Sequence, residues 1–280
     1  MTRTVRIGGE NWHYHQEGSH ESPALLLLHG FTGCAAFWDD VVTSLKSEFR
    51  CISVDLPGHG HTSFPFDAGQ ACMEHVAESL GRLLDKIGVD EFNPWGYSMG
   101  GRLALHVALR FPDRVGRLVL ESASPGIADP IQRQQRADED NLLASQIEEK
   151  GTTWFVEEWM RRPLFASQLE LPLERRERAR TLRLQNSAAG LAASLRHMGT
   201  GVQESQYDSL SGLKAPTMIL VGEYDDKFRA IGLDMAGLIP HVLYCLIPRA
   251  GHAPFWEQPE HSVRAVRSFL VGPESPRREA

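Results

Sequence analysis

No apolar run in this 280-residue chain approaches the ~20 residues needed to span a bilayer; the longest clear one is Ala24 to Leu28. A membrane-spanning protein is therefore not expected. The N-terminus carries Arg3, Arg6 and Glu10 with no apolar stretch behind them, so no signal peptide is expected either. Cysteine is scarce. The four residues, Cys34, Cys51, Cys72 and Cys245, form no CxxC and no metal-binding spacing, which fits buried or free thiols of a reducing compartment, the cytoplasm. Basic charge is also short: the net charge of -7 argues against a nucleic-acid surface. His13-x-His15 and His59-x-His61 lack partner carboxylates or further histidines at helical spacing, so no metal site is expected. Gly8-Gly9 is followed by no Lys-Ser/Thr, so there is no phosphate loop, and nothing calls for a cofactor. Internal repeats and low-complexity segments are missing too.

What remains is ordinary globular material, 42% hydrophobic and 23% charged, enough for one large core or a core with an inserted subdomain. Thr4–Ile7 and Trp12–His15 read as two short strands with an antiparallel start. Ala24–Leu28 is uniformly apolar, as expected of a strand covered on both faces. Ala35–Phe49 has helical spacing of Phe37, Trp38, Val41, Val42 and Leu45. A strand at Cys51–Asp55, a helix at Met73–Ile87, a strand at Glu91–Trp95, a helix to Arg110 and a strand at Leu118–Glu121 follow. That order predicts an α/β fold with a mostly parallel, doubly wound sheet. From Ile127 to Leu210 only helical patterns occur. Strand and helix return at Thr217–Val221, Phe228–Leu238, Val242–Ile247 and Glu260–Leu270. The expected organisation is a core of residues 1–126 and 211–271, a helical lid at 127–210, and a polar, frayed tail at 272–280.

The chemistry centres on Gly96-Tyr97-Ser98-Met99-Gly100, placed between a strand and a helix. Gly-x-Ser-x-Gly in that setting is a nucleophile elbow, in which small residues let a strained turn expose the serine. A serine needs a histidine base and an acid to orient it, and in this fold they follow in the order acid, then histidine. Gly222-Glu223-Tyr224-Asp225-Asp226 ends one late strand and Pro248-Arg249-Ala250-Gly251-His252 ends the next. Ser98, Asp225 and His252 are the expected triad, with Asp226 the alternative acid. The oxyanion hole is expected from the backbone N–H groups of Met99 and of Phe31, in the loop His29-Gly30-Phe31-Thr32-Gly33. The turn Asp55-Leu56-Pro57-Gly58-His59-Gly60 reads as structural.

Those strings resemble the α/β-hydrolase superfamily along nearly the whole chain. More narrowly, the sequence is similar to the 2-succinyl-6-hydroxy-2,4-cyclohexadiene-1-carboxylate synthases of menaquinone and phylloquinone biosynthesis. The specific residues are Arg102 directly after Gly100-Gly101, Ala123-Ser124-Pro125-Gly126, Pro163-Leu164-Phe165-Ala166-Ser167 and Asp226-Lys227-Phe228. The resemblance implies a lyase that removes pyruvate from an enolpyruvyl ether, with Ser98 taking a proton and the oxyanion hole holding an enolate. It also implies a small-molecule substrate with three carboxylates, and cations to receive them. Arg102, one turn past Ser98, is the first candidate. Arg133, Arg136 and Arg183 in the lid follow, the first two in an ambiguous register, with Tyr97 and Trp159 as walls or donors. The lid's eleven Lys and Arg are outnumbered by thirteen Asp and Glu, and most of its arginines, such as Arg175-Arg176, are expected to be exposed. A carboxylesterase or carbon–carbon bond hydrolase on the same triad is the alternative. A non-catalytic binding protein on this fold is a third.

Overall fold

The computed structural model describes residues 2–63 and 72–272. The chain opens with an antiparallel pair, β1 (Thr2–Ile7) and β2 (Glu10–Glu17), and β2 also pairs antiparallel with β4 (Arg50–Val54). β3 (Ala24–Leu28), β4, β5 (Phe92–Tyr97), β6 (Leu118–Glu121), β7 (Thr217–Gly222) and β8 (Val242–Ile247) are parallel. The sheet order is β1-β2-β4-β3-β5-β6-β7-β8. Every residue of β3, β4, β6 and β7 is buried, because helices cover both faces. Alternation assigns the side chains: Leu26 and Leu28 face one core, Leu25 and Leu27 the other.

The first core is closed by α2 (Met73–Lys86), α3 (Met99–Arg110) and α7 (Asp226–Ala236), which supply Leu80, Leu103 and Met235 among others. The second is closed by α1 (Asp39–Leu45) and α9 (Pro259–Leu270) through Val41, Leu45, Val263 and Val266. The helix expected over Ala35–Phe49 is shorter. Ala35–Trp38 is a 3₁₀ turn, α1 ends at Leu45, and Trp38 is pinned between Trp95 and Phe255. That aromatic anchoring supersedes the helical period the sequence suggests.

Between β6 and β7 the described residues form no strand. The segment holds α4 (Pro130–Met160), a 3₁₀ stretch Pro163–Glu170, α5 (Leu173–Arg183), α6 (Ala188–Met198) and a 3₁₀ turn Tyr207–Gly212. α4 breaks at Gly151, whose φ is 81°. Its two halves and α6 share a small core of Ala144, Ile147, Phe155, Leu191 and Leu195. These helices lie over the carboxyl ends of the parallel strands, the end at which such sheets carry their sites. No helix among the described residues is long and apolar enough to cross a membrane. All four cysteines are free. The tail expected from Gly272 lies, past Gly272 itself, outside the described residues.

Candidate active site

Ser98 sits between β5 and α3 with φ 52° and ψ -109°, a conformation that costs a non-glycine residue roughly 1–3 kcal/mol. Two backbone bonds over-determine it: Ser98 N–H donates to Glu121 O at 2.8 Å, and Arg102 N–H donates to Ser98 O at 3.0 Å. The glycines are required by space. A Cβ on Gly96 would strike the carbonyl of Gly100, and one on Gly100 would strike the carbonyl of Leu28. Both obstacles are backbone, which has no rotamer to escape into. Gly100→Ala is therefore expected to destabilise the protein by about 3 kcal/mol or more. Gly212→Ala, where a Cβ meets only open space, is the control. Urea unfolding checks this: matching midpoints for the two variants would show that the elbow tolerates the extra carbon.

The structure brings Ser98, His252 and Asp225 together from the ends of three strands. His252 Nδ1 lies 2.6 Å from Asp225 Oδ2, and His252 Nε2 lies 3.1 Å from Ser98 Oγ. The tautomer that satisfies both contacts donates from Nδ1 to the carboxylate and accepts the serine proton at Nε2. His252 and Asp225 are buried, and Asp225 also caps α7 by accepting from Phe228 N–H. Asp226 is the excluded alternative: its side chain is 91% exposed and pairs with Arg229 at 2.9 Å.

Phe31 and Met99 border the cavity above Ser98, and neither backbone N–H has an acceptor among the described residues. Met99 opens a twelve-residue helix, whose first N–H groups have no intrahelical partner and favour negative charge. The Phe31 loop is held close: a Cβ on Gly30 would lie 3.3 Å from Ser98 Cβ. His29 fixes this loop by bonding Gly30 O at 2.8 Å and accepting from Leu56 N–H at 3.0 Å. Burial lowers its pKa, and burial drives that of His59, in the turn read as structural from sequence, down to about 3.

The cavity itself is about 690 Å³. Arg102 lines it but is almost wholly buried. Its Nη1 donates to Gln203 Oε1 at 2.5 Å and its Nη2 to Met198 O at 2.9 Å. Burial, with nearby Arg136 adding to it, pushes its pKa down to about 9. Arg136 lines the same cavity and donates from Nε to Asp140 at 2.9 Å. Trp159 is a wall, packed on Phe31, Phe155 and Phe165, with its indole N–H lacking an acceptor. Tyr97 borders Ser98, its ring 5.4 Å from that of His252, and burial raises its phenol well above 10.0.

Three expectations need correction. Arg133 does not reach the cavity. It lies in the first turn of α4 and folds back to donate to Ile127 O at 3.3 Å, whereas Arg136 lines the cavity. Arg183 does not line the cavity either. It is buried behind the wall, over Phe37 and Phe165, and donates from Nε to Thr32 Oγ1 beside Phe31. Burial brings its pKa to about 10. Arg175 is not exposed: it stacks on Trp256, donates to Trp256 O at 2.6 Å and pairs with Asp40 at 3.0 Å.

The structure adds residues that sequence reasoning missed. Arg162 lines the cavity and lies over the Trp159 ring at 4.4 Å. Glu121 is fully buried, accepts from Trp95 Nε1–H and Phe255 N–H at 2.7 Å each, and is pushed up to about 8 by burial. A carboxylate ending the apolar run Leu118-Val119-Leu120 was the signal for it; Arg162 gave none. Among the described residues no His, Cys, Asp and Glu cluster could hold a metal ion.

The sequence signature of the alpha/beta hydrolase fold matches residues 23–259. A 2-succinyl-6-hydroxy-2,4-cyclohexadiene-1-carboxylate synthase of Salmonella typhimurium is 32% identical, over 91% of this chain and 97% of its own length. The structure of MenH from S. aureus superposes with a TM-score of 0.87 at 34% identity, covering 92% of this chain and 97% of that one. A thermophilic esterase from Thermogutta terrifontis (malate bound) superposes with a TM-score of 0.86 at 26% identity, covering 98% and 100%.

Proposed function

The chain belongs to the α/β-hydrolase fold family and, within it, to the 2-succinyl-6-hydroxy-2,4-cyclohexadiene-1-carboxylate synthases, and we propose how its residues perform that reaction. It is a carbon–oxygen lyase of menaquinone and phylloquinone biosynthesis, eliminating pyruvate from 2-succinyl-5-enolpyruvyl-6-hydroxy-3-cyclohexene-1-carboxylate. Ser98 gives its proton to His252 Nε2, and Asp225 stabilises the imidazolium that results. The serine oxygen then takes a proton from the ring carbon beside the succinyl ketone. Negative charge gathers on the ketone oxygen, where the N–H groups of Phe31 and Met99 receive it. Donors placed in advance at such a point are worth about 3–4 kcal/mol each. As the enolate collapses, the ether C–O bond breaks and the enolpyruvate leaves. His252 returns the proton to it and pyruvate forms. Serine ends as a hydroxyl, so no water is consumed and no acyl-enzyme is needed.

The observation that carries this reading is the cationic lining of the cavity that holds Ser98. Arg102, Arg136, Arg162 and Lys227 border it against two acidic residues, Glu139 and Asp140, and among the described residues only Arg136 of the three arginines has a carboxylate hydrogen-bonded to it, Asp140. A substrate with three carboxylates suits that excess, and planar guanidinium groups bind carboxylates in pairs of bonds. Tyr97 and Trp159 add a phenol and an indole donor. A small polycarboxylate is thus the partner, with neither nucleic acid nor membrane required. The free thiols suit a cytoplasmic enzyme.

The test is purified protein mixed with the enolpyruvyl substrate, with pyruvate followed by a coupled dehydrogenase. Fast release supports the lyase. Fast cleavage of simple aryl esters without pyruvate would transfer the triad to an esterase, the activity named for the Thermogutta neighbour. Tight binding without turnover of either would indicate a non-catalytic protein.

A further inference from the structure

His252 lies on the connection from β8 to a short helix, α8 (Pro254–Glu257), a stretch with no ladder or helix of its own to hold it. Its neighbours are secured by one carboxylate. Glu257 Oε2 accepts from Gly251 N–H at 2.6 Å, and Glu257 Oε1 accepts from Ala253 N–H at 3.0 Å. The two oxygens therefore bracket His252 from both sides along the chain. Glu257 is only 6% exposed, so water does not compete for those bonds. Carboxylate bonds to backbone N–H groups are about twice as strong as neutral ones. Glu121 takes the next available amide, Phe255 N–H, because Pro254 has none.

The same carboxylate faces the lid. Gln168 Nε2 donates to Glu257 Oε1 at 3.5 Å, and a Cβ on Gly251 would strike Ser167 Oγ. Both belong to the 3₁₀ stretch whose Pro163, Leu164 and Phe165 line the cavity.

We propose that Glu257 is a positioning residue for His252. By fixing the peptide groups on both sides of it, Glu257 sets the imidazole in line between Asp225 and Ser98, and through Gln168 it joins that alignment to the cavity-lining segment of the lid. Glu257 touches neither substrate nor the reacting atoms. The role does not depend on which reaction Ser98 performs, because any use of the serine needs His252 in place.

Glu257→Gln tests it with little change of shape. The amide keeps one accepting oxygen and turns an NH₂ toward the other backbone N–H, so one bracket is lost. An aryl fluorophosphonate, which reacts with a serine only when its histidine is aligned, reads the effect without the natural substrate. The labelling rate of Ser98, per folded molecule, is expected to fall on the order of 10²-fold, as for a displacement near 1 Å of a reacting group. With the enolpyruvyl substrate, kcat should fall by a similar factor while KM stays within about threefold. Glu257→Asp, which keeps the charge but shortens the reach, should fall between. A merely structural glutamate would lower the folded fraction and leave the rate per folded molecule untouched; that result would overturn the proposal. Should the variants fail to fold, amide exchange on the intact wild-type chain decides. Gly251 and Ala253 amides are expected to exchange as slowly as those of β8, and exchange at unprotected rates would refute the bracket.

Discussion

Ser98→Ala is expected to lower pyruvate release by about 10⁴-fold or more while leaving KM within a few-fold. Among the described residues the hydroxyl's hydrogen-bond partner is His252 Nε2 at 3.1 Å, so its loss removes the base without disturbing the elbow. Backbone bonds to Glu121 O and from Arg102 N–H hold the strained φ whatever the side chain, and the variant should fold normally. The cavity arginines and the oxyanion donors remain, which is why binding survives. Steady-state kinetics with circular dichroism as a folding check measure this. Retention of activity within tenfold would mean that His252 reaches the ring proton directly and that Ser98 is a bystander.

Arg102→Ala carries the second large effect, with kcat/KM expected to fall by roughly 10²–10³-fold. Two causes act together. One is the loss of a cation beside Ser98 for a substrate carboxylate. The other is that Gln203 Oε1 and Met198 O lose their donor inside a buried site, which costs about 1–3 kcal/mol for each group left unsatisfied. Arg102→Lys separates them only in part, since one ammonium cannot reproduce the planar fork. The control is Arg161→Ala. That side chain is 71% exposed and pairs with Glu158 one turn away, so an effect below about twofold is expected. Arg175 cannot serve as the control because it braces Trp256 and Asp40. Equal small effects at positions 102 and 161 would remove the carboxylate clamp from the account.

The triad was legible because the fold dictates the chain order of serine, acid and histidine, and each sits where a parallel strand ends. Sheet and elbow were legible for the same kind of reason. Uniformly apolar strands mark two-sided burial, and Gly96 and Gly100 mark close backbone approach. The lid contacts were not. Arg102 meets Gln203 across 101 residues and Arg183 meets Thr32 across 151, pairings for which no local period exists. The choice between Arg133 and Arg136 hung on how the first turn of α4 satisfies Ile127 O, a detail of a helix terminus. Glu257 stood five residues past His252 in plain view, yet its task appears only when both oxygens are seen on the flanking amides.

The central claim is that Ser98 removes a proton and never bonds to carbon. Intact-mass measurement on samples quenched during turnover addresses it directly. The protein should show its unmodified mass at every time point while pyruvate accumulates. A substrate-derived adduct on Ser98 that forms and decays at the rate of pyruvate release would contradict it.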